Sequence, residues 1–150
     1  MATILSACAD LGSLAMGKEI EEYILVNELE SSRQVLTSLI HMFSKCGSIN
    51  KAEEVFERVS DKDLAIWGAM INGYAIHGMG DEAFSLFHKM QQVEGIKPDY
   101  VVYTSLLSVC NHSGLVEDGL RYFRSMQNEY GIEPSIQHYV CLVDLLGTPD

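Results

Sequence analysis

Cysteine and histidine are the residues of this chain best suited to nucleophilic or metal chemistry, and their spacing argues against both. Cysteines stand at 8, 46, 110 and 141, and histidines at 41, 77, 88, 112 and 138. A zinc site needs ligands clustered at close spacing, and no C-x-x-C pair occurs. The H-x-E…C-x-x-C pattern of the zinc deaminases is missing, and with it the activated hydroxide that attacks a cytosine ring. No Gly-rich phosphate loop, nucleophile elbow or carboxylate pair stands in a catalytic setting. The scattered cysteines therefore read as small buried apolar residues. His77 and His112 lie one and two residues before glycines, where they meet solvent or cap a helix end. The acidic runs E-I-E-E (19–22) and E-E (53–54) read as solvated outer faces, and Trp67 reads as core rather than as a stacking platform.

Composition narrows the partners. The 150 residues are 47% apolar and carry 10 basic against 21 acidic side chains, a net charge of −11. A protein that grips nucleic acid through phosphate neutralisation is normally basic, so affinity of that origin is expected to be weak here. No apolar run approaches the roughly 18–20 residues of a membrane span, so no membrane partner is expected. Helical patterning starts right after Met1, so no signal or transit segment is expected within the chain.

The elements that position the polar residues follow a period. Glycines 12, 47, 78 and 114 occupy similar phrases, C-A-D-L-G-S-L, S-K-C-G-S-I, A-I-H-G-M-G and N-H-S-G-L-V, with gaps of 35, 31 and 36 residues (47−12, 78−47, 114−78). Five residues after each stands a small residue: Gly17, Ala52, Ala83 and Gly119. Three before that stand Leu14, Ile49, Gly80 (the exception) and Val116. Nine after each glycine stands an aromatic in three units, Phe56, Phe87 and Phe123, while the first unit has Glu21. A period in the thirties with fixed landmarks is the signature of a repeat array.

Each unit divides at its glycine into two helical patterns. Ile66, Trp67, Met70, Ile71 and Tyr74 recur at helical spacing before Gly78, and Ala83, Phe84, Leu86, Phe87 and Met90 after it. The glycine lets the chain reverse through a positive φ, and Asp81 and Glu82 suit the N-terminal dipole of the later helix. The small residue is expected where the two antiparallel helices of a hairpin cross. Expected helices are 1–10 and 14–27, 33–45 and 49–59, 64–77 and 80–92, 100–112 and 116–129, then 136–147. Such hairpins stack into an all-α solenoid with a shared core, and a raw apolar face is expected at one or both ends.

The phrases D-L-A-I-W-G-A-M-I-N-G-Y-A-I-H-G, E-A-F-S-L-F-H-K-M and G-I-K-P-D resemble the pentatricopeptide repeat of plant organelle RNA-binding proteins. The mixed spacing resembles the PLS subclass of that family: a truncated long repeat at 1–32, a short repeat at 33–63, a standard repeat at 64–99 and a long repeat at 100–135. I-Q-H-Y-V-C-L-V-D-L-L-G (136–147), which opens a truncated unit at 136–150, resembles the opening of the extension motif of RNA-editing factors. The resemblance implies a right-handed superhelix whose first helices line a groove for single-stranded RNA, one base per repeat. It implies a non-enzymatic module of an organelle factor, in mitochondrion or chloroplast, that guides C-to-U editing. Multiple organellar RNA editing factors or a deaminase-bearing partner are its implied protein partners, and no cofactor is implied.

In that family the fifth residue of the first helix and the last residue of the repeat read the base. The matching fifth positions are Ala2, Thr37, Gly68 and Thr104, and the last positions are Ser32, Asp63, Asp99 and Ser135. Hydroxyls and carboxylates there can hydrogen-bond a base edge. Gln34, Ala65 and Val101 match the position that wedges between adjacent bases. Thr37 with Asp63 forms a complete pair, which by the family's rule favours guanine. Gly68 departs from the family pattern and leaves Asp99 without a partner. Apart from the resemblance, Thr is ordinary at an exposed helix start and Asp is ordinary as an N-cap. A tetratricopeptide-like protein-binding scaffold is the alternative reading, which the acidity suits and the P-D repeat endings do not.

Overall fold

The structure is a computed structural model that describes residues 14–27 and 32–147. Among the described residues there are eight α-helices and no strand: α1 (Leu14–Val26), α2 (Arg33–Lys45), α3 (Ile49–Arg58), α4 (Leu64–Ile76), α5 (Gly80–His88), α6 (Tyr100–Ser113), α7 (Val116–Asn128) and α8 (Ile136–Gly147). The helix expected at 1–10, with Ala2, Cys8 and the Gly12 turn, lies outside them. α5 is shorter than expected because residues Lys89–Val93 continue it as a π-helix.

Three turns are built alike. Gly47, Gly78 and Gly114 have φ of 85°, 68° and 67°. The residue after each donates its N–H five residues back, Ser48 to Phe43, Met79 to Tyr74 and Leu115 to Cys110. This left-handed cap satisfies carbonyls that the helix end would otherwise orphan. The G-I-x-P phrases form a second recurrent stop. Ile96 donates to Met90 O and Ile132 to Met126 O, across Gly95 and Gly131 at positive φ.

The hairpins α2–α3, α4–α5 and α6–α7 stack so that α2, α4, α6 and α8 lie side by side in one layer. The second helices α3, α5 and α7 each pack between their own first helix and the next one. Each second helix shows one apolar stripe, such as Ala52, Val55 and Phe56 on α3, and turns its charged face outward. First helices have neighbours on most sides, and α4 accordingly buries Ile66, Trp67, Ala69, Met70, Ile71, Gly73 and Ala75. Trp67 is core, as expected, edge-on to Phe56 with centroids 5.3 Å apart.

Two expectations need correction. The small residues serve the contact with the following repeat as much as the hairpin itself. A Cβ on Gly119 would stand 2.3 Å from Leu145 Cδ2 of α8 and 3.4 Å from Cys110 Cβ of its own hairpin, and one on Gly17 would meet Met42 Sδ of α2 at 2.3 Å. Gly80, the exception in its column, packs the same way, its Cβ position 3.1 Å from Val109 Cγ1 of α6. The acidic run 19–22 is also not wholly solvated. Glu21 is buried, with Lys51 Nζ and Arg58 Nη2 at 3.7 and 3.4 Å. It occupies the column of Phe56 and Phe87, and two cations from α3 make a carboxylate tolerable in an otherwise aromatic position. Glu53 is half-buried, and Glu54 is exposed as expected.

The last helix leaves Ile136, Tyr139, Val140, Val143 and Leu146 exposed along one face, the raw apolar end expected of a hairpin stack.

Candidate functional site

The layer of first helices carries a concavity of about 370 Å³ between α2, α4 and α6. Its polar lining is Thr37, His41, Asn72 and Asp99. Ala65, Gly68 and Val101 contribute to the rest, with Leu64, Ala69 and Val102. Five of the residues singled out in the sequence, Thr37, Ala65, Gly68, Asp99 and Val101, therefore converge on one surface feature. Asp63, Gln34, Thr104 and Ser135 do not line it.

Helix starts set these side chains in place. Ser32, Asp63 and Asp99 are the N-caps of α2, α4 and α6, accepting from the N–H of Val35, Ile66 and Val102 at 3.4, 3.0 and 3.0 Å. An N-cap of this kind contributes about 1 kcal/mol. Both aspartates use Oδ1 for the cap, which leaves Oδ2 for another partner. For Asp63 that partner is Arg33, whose Nη1 stands 3.8 Å from Oδ2 while its Nη2 reaches Asp61 at 3.5 Å. Thr37 and Thr104 are each backed onto their own helix, with Oγ1 donating to Arg33 O at 2.8 Å and Tyr100 O at 2.9 Å. Each hydroxyl thereby keeps its lone pairs for an incoming donor.

At Thr104 that capacity is taken. His138, fully buried on α8, places Nε2 3.0 Å from Thr104 Oγ1 and 2.9 Å from Tyr100 O. Its Nδ1 lies 2.8 Å from Ser135 N and 3.0 Å from Ser135 Oγ. The backbone N–H of Ser135 can only donate, so Nδ1 is the acceptor and Nε2 carries the proton. One imidazole thus engages both members of the Thr104–Ser135 pair. The third residues of α2, α4 and α6 are Val35, Ile66 and Val102, so a histidine in that apolar column was the available signal.

The sequence reading also passed over His41 and Asn72. Both are the ninth residue of their helix, polar in largely apolar segments, and one turn beyond Thr37 and Gly68. Partial desolvation by its neighbours and, second to it, the nearby Lys45 ammonium hold the pKa of the still exposed His41 below its usual 6.5. At neutral pH the imidazole is therefore uncharged, and Asp99 is the one formal charge in the lining. The concavity suits hydrogen bonding to a flat, partly apolar group better than it suits phosphate. Elsewhere, His77 caps the end of α4 and bonds across to Ser44 O at 2.8 Å. Burial pushes the Cys110 thiol up to about 12, which fits a packing residue rather than a nucleophile. Among the described residues no cluster of His, Cys, Asp and Glu could hold a metal, and no helix is long and apolar enough to cross a membrane.

Comparison with known proteins gives a consistent result. The model of the PPR repeat family matches residues 62–112, and that of the PPR repeat matches 35–64 and 101–130. Similar Arabidopsis thaliana proteins include the chloroplastic pentatricopeptide repeat-containing protein DOT4, 45% identical over 98% of this chain and 17% of its own length. A mitochondrial pentatricopeptide repeat-containing protein of the same plant is 42% identical over 97% of this chain and 16% of its own length. The chain thus spans less than a quarter of these relatives. Among solved structures, maize PPR10 in complex with an 18-nucleotide psaJ RNA element superposes with a TM-score of 0.78 at 22% identity, covering 97% of this chain and 21% of PPR10. The nuclear proteinaceous RNase P 2 of A. thaliana gives 0.71 at 19% identity, over 96% of this chain and 33% of that protein. These likenesses fix the fold as a solenoid of helical hairpins.

Proposed function

Because the chain belongs to the PPR repeat family, we propose that its layer of first helices recognises single-stranded RNA in a plant organelle, chloroplast or mitochondrion. The observation that carries this reading is the concavity that gathers Thr37, Gly68 and Asp99 with the small residues Ala65 and Val101. A base edge can bond to the hydroxyl and the carboxylate while its faces rest on apolar surface. In this reading the units 33–63, 64–99 and 100–135 each meet one nucleotide. Thr37 and Asp63 read the first, Asp99 contributes to the second, and Gln34, Ala65 and Val101 separate neighbouring bases. Thr104 and Ser135 serve the third only when His138 releases them.

The spacing of the repeats and the I-Q-H-Y-V-C-L-V-D-L-L-G phrase support a PLS-type editing factor that positions a cytidine. The deamination itself is then supplied by a deaminase-bearing partner or a further domain, with multiple organellar RNA editing factors as additional partners. The acidic balance sets the affinity. With a net charge of −11 and no Lys or Arg in the concavity, few counterions are released, so the 150 residues alone bind weakly and a longer array supplies the strength. The test is a gel-shift of the full-length protein against candidate organellar transcripts. Thr37→Asn and Asp63→Ala should each change preference at one nucleotide by about tenfold, the worth of one good base contact. Unchanged preference in both variants overturns the reading.

A further inference from the structure

The glycines of the helices fall into two kinds. An added Cβ on Gly17, Gly73 or Gly119 would come within 2.3–2.5 Å of Met42, Ser44 or Leu145, so close packing requires the missing side chain. At Gly68 an added Cβ meets only Val102 Cγ2, at 3.5 Å, an ordinary contact, and the backbone is not left-handed. Nothing in the fold demands glycine there, although a glycine inside a helix costs about 1 kcal/mol relative to alanine. What it does is leave the wall of the concavity open between Thr37 and Asp99.

Asn72 lies four residues further along α4, on the same face. Helical side chains lean back over the turn that precedes them, so the Asn72 amide covers the turn that Gly68 leaves bare. Ser105 Oγ stands 3.3 Å from Asn72 Oδ1. The Ser105 hydroxyl, with Val101 O at 3.5 Å as its longer alternative acceptor, donates to that oxygen, which fixes the amide orientation and leaves the NH₂ as the group on offer. Across the concavity, Asp99 keeps Oδ2 as an acceptor while Oδ1 caps α6.

We propose that Asn72 is the base-selecting side chain of the repeat that begins at Leu64, reaching a nucleobase through the gap left by Gly68, with Asp99 as the paired acceptor. The Watson–Crick edge of an unpaired base presents a donor beside an acceptor, and an amide NH₂ beside a carboxylate oxygen answers that pattern. Recognition moves one helical turn deeper than in the repeat of Thr37, and Ser105 acts as a positioning residue for the amide. The inference rests on the RNA reading above and adds a residue that the fifth-and-last scheme does not contain.

The experiment uses the full-length protein and a randomised single-stranded RNA pool, followed by anisotropy titrations with the four single-nucleotide variants at each selected position. Asn72→Asp, which replaces donors by acceptors, should lower affinity about tenfold for the preferred base at one nucleotide. The neighbouring nucleotide, the one relaxed by Thr37→Ala, should keep its preference. Asn72→Ser, which adds no charge, should lose the same selectivity, and Gly68→Thr, which fills the gap, should make the site insensitive to Asn72→Ala. Thermal midpoints within a few degrees of the parent establish that each variant is folded. If Thr37→Ala relaxes one nucleotide while both Asn72 variants leave every preference intact, the role of Asn72 is overturned and the RNA reading stands. If none of these variants, Thr37→Ala included, alters any preference, both fail together.

Discussion

The units 64–99 and 100–135 carry matching residues in matching register and use them differently. In the first, Gly68 leaves the concave layer open, Asn72 and Asp99 line the opening, and only one oxygen of Asp99 is committed to a cap. In the second, Thr104 and Ser135 have the side chains suited to reading a base, yet His138 of the next unit holds both. Inspection of the fifth and last residues alone ranks the two units the other way round. Availability of a polar group depends on who else can reach it, and in a stack of hairpins that is the third residue of the next first helix. An apolar residue there, such as Ile66 in the first helix after that of Thr37, has no capacity to compete for a hydroxyl.

The comparison can be broken most forcefully by separating the last helix from the stack. Gly119→Leu drives a branched side chain between Cys110 and Leu145, and such overpacking should cost about 3 kcal/mol. The measurement is urea unfolding, in which a midpoint equal to the parent's would show that α7 and α8 are not closely packed. His138→Val is gentler and more specific. It removes the bonds to Ser135 N and Tyr100 O and should cost about 1–2 kcal/mol, since each such bond contributes about 1 kcal/mol net. At the same time Thr104 and Ser135 become free, and the full-length protein should gain selectivity at the nucleotide facing 100–135. A loss of stability with no gain in selectivity would mean that His138 is not what withholds Thr104 and Ser135 from RNA.

On the other side of the comparison, Gly68→Ala should raise stability by about 0.5–1 kcal/mol by removing a helical glycine, because the added methyl finds open space. Destabilisation would indicate packing around α4 tighter than the 3.5 Å approach to Val102 implies. The smallest effect concerns His41. Its folded pKa lies below the usual 6.5, so the unfolded chain takes up a proton first as pH falls. The stabilisation this gives is complete above pH 6.5 and declines below it as pH drops towards the folded value. His41→Gln should therefore weaken the fall in unfolding midpoint between pH 6.5 and 5, and an unaltered pH profile would assign that fall to other groups.

The helical hairpins were legible because their signals are local. Turn glycines 47, 78 and 114, the i, i+3, i+4 apolar rows and the aspartate caps each act within a few residues, and observed helices begin where those signals place them. The π segment at Lys89–Val93 was not legible. Nothing in K-M-Q-Q-V distinguishes it from an ordinary helical turn, and it is tied off by the Glu94 to Lys89 and Ile96 to Met90 bonds. Glu21 was misread for a related reason, since its neighbours Lys51 and Arg58 lie thirty or more residues away on another helix.

By itself, then, the sequence determined the period, the helices, the resemblance to a repeat family and the register in which Thr37, Gly68, Thr104, Asp63, Asp99 and Ser135 recur. Tertiary structure decided which of them face open space. It joined Thr37 on α2 to Asp99 at the start of α6, two places along the layer of first helices, left Asn72 half-buried behind Gly68, and closed Thr104 and Ser135 with a buried imidazole. The physical reason is that periodicity is enforced by backbone geometry along the chain. The hydrogen-bonding capacity of a side chain is instead shared among all groups that the stack brings within about 3 Å.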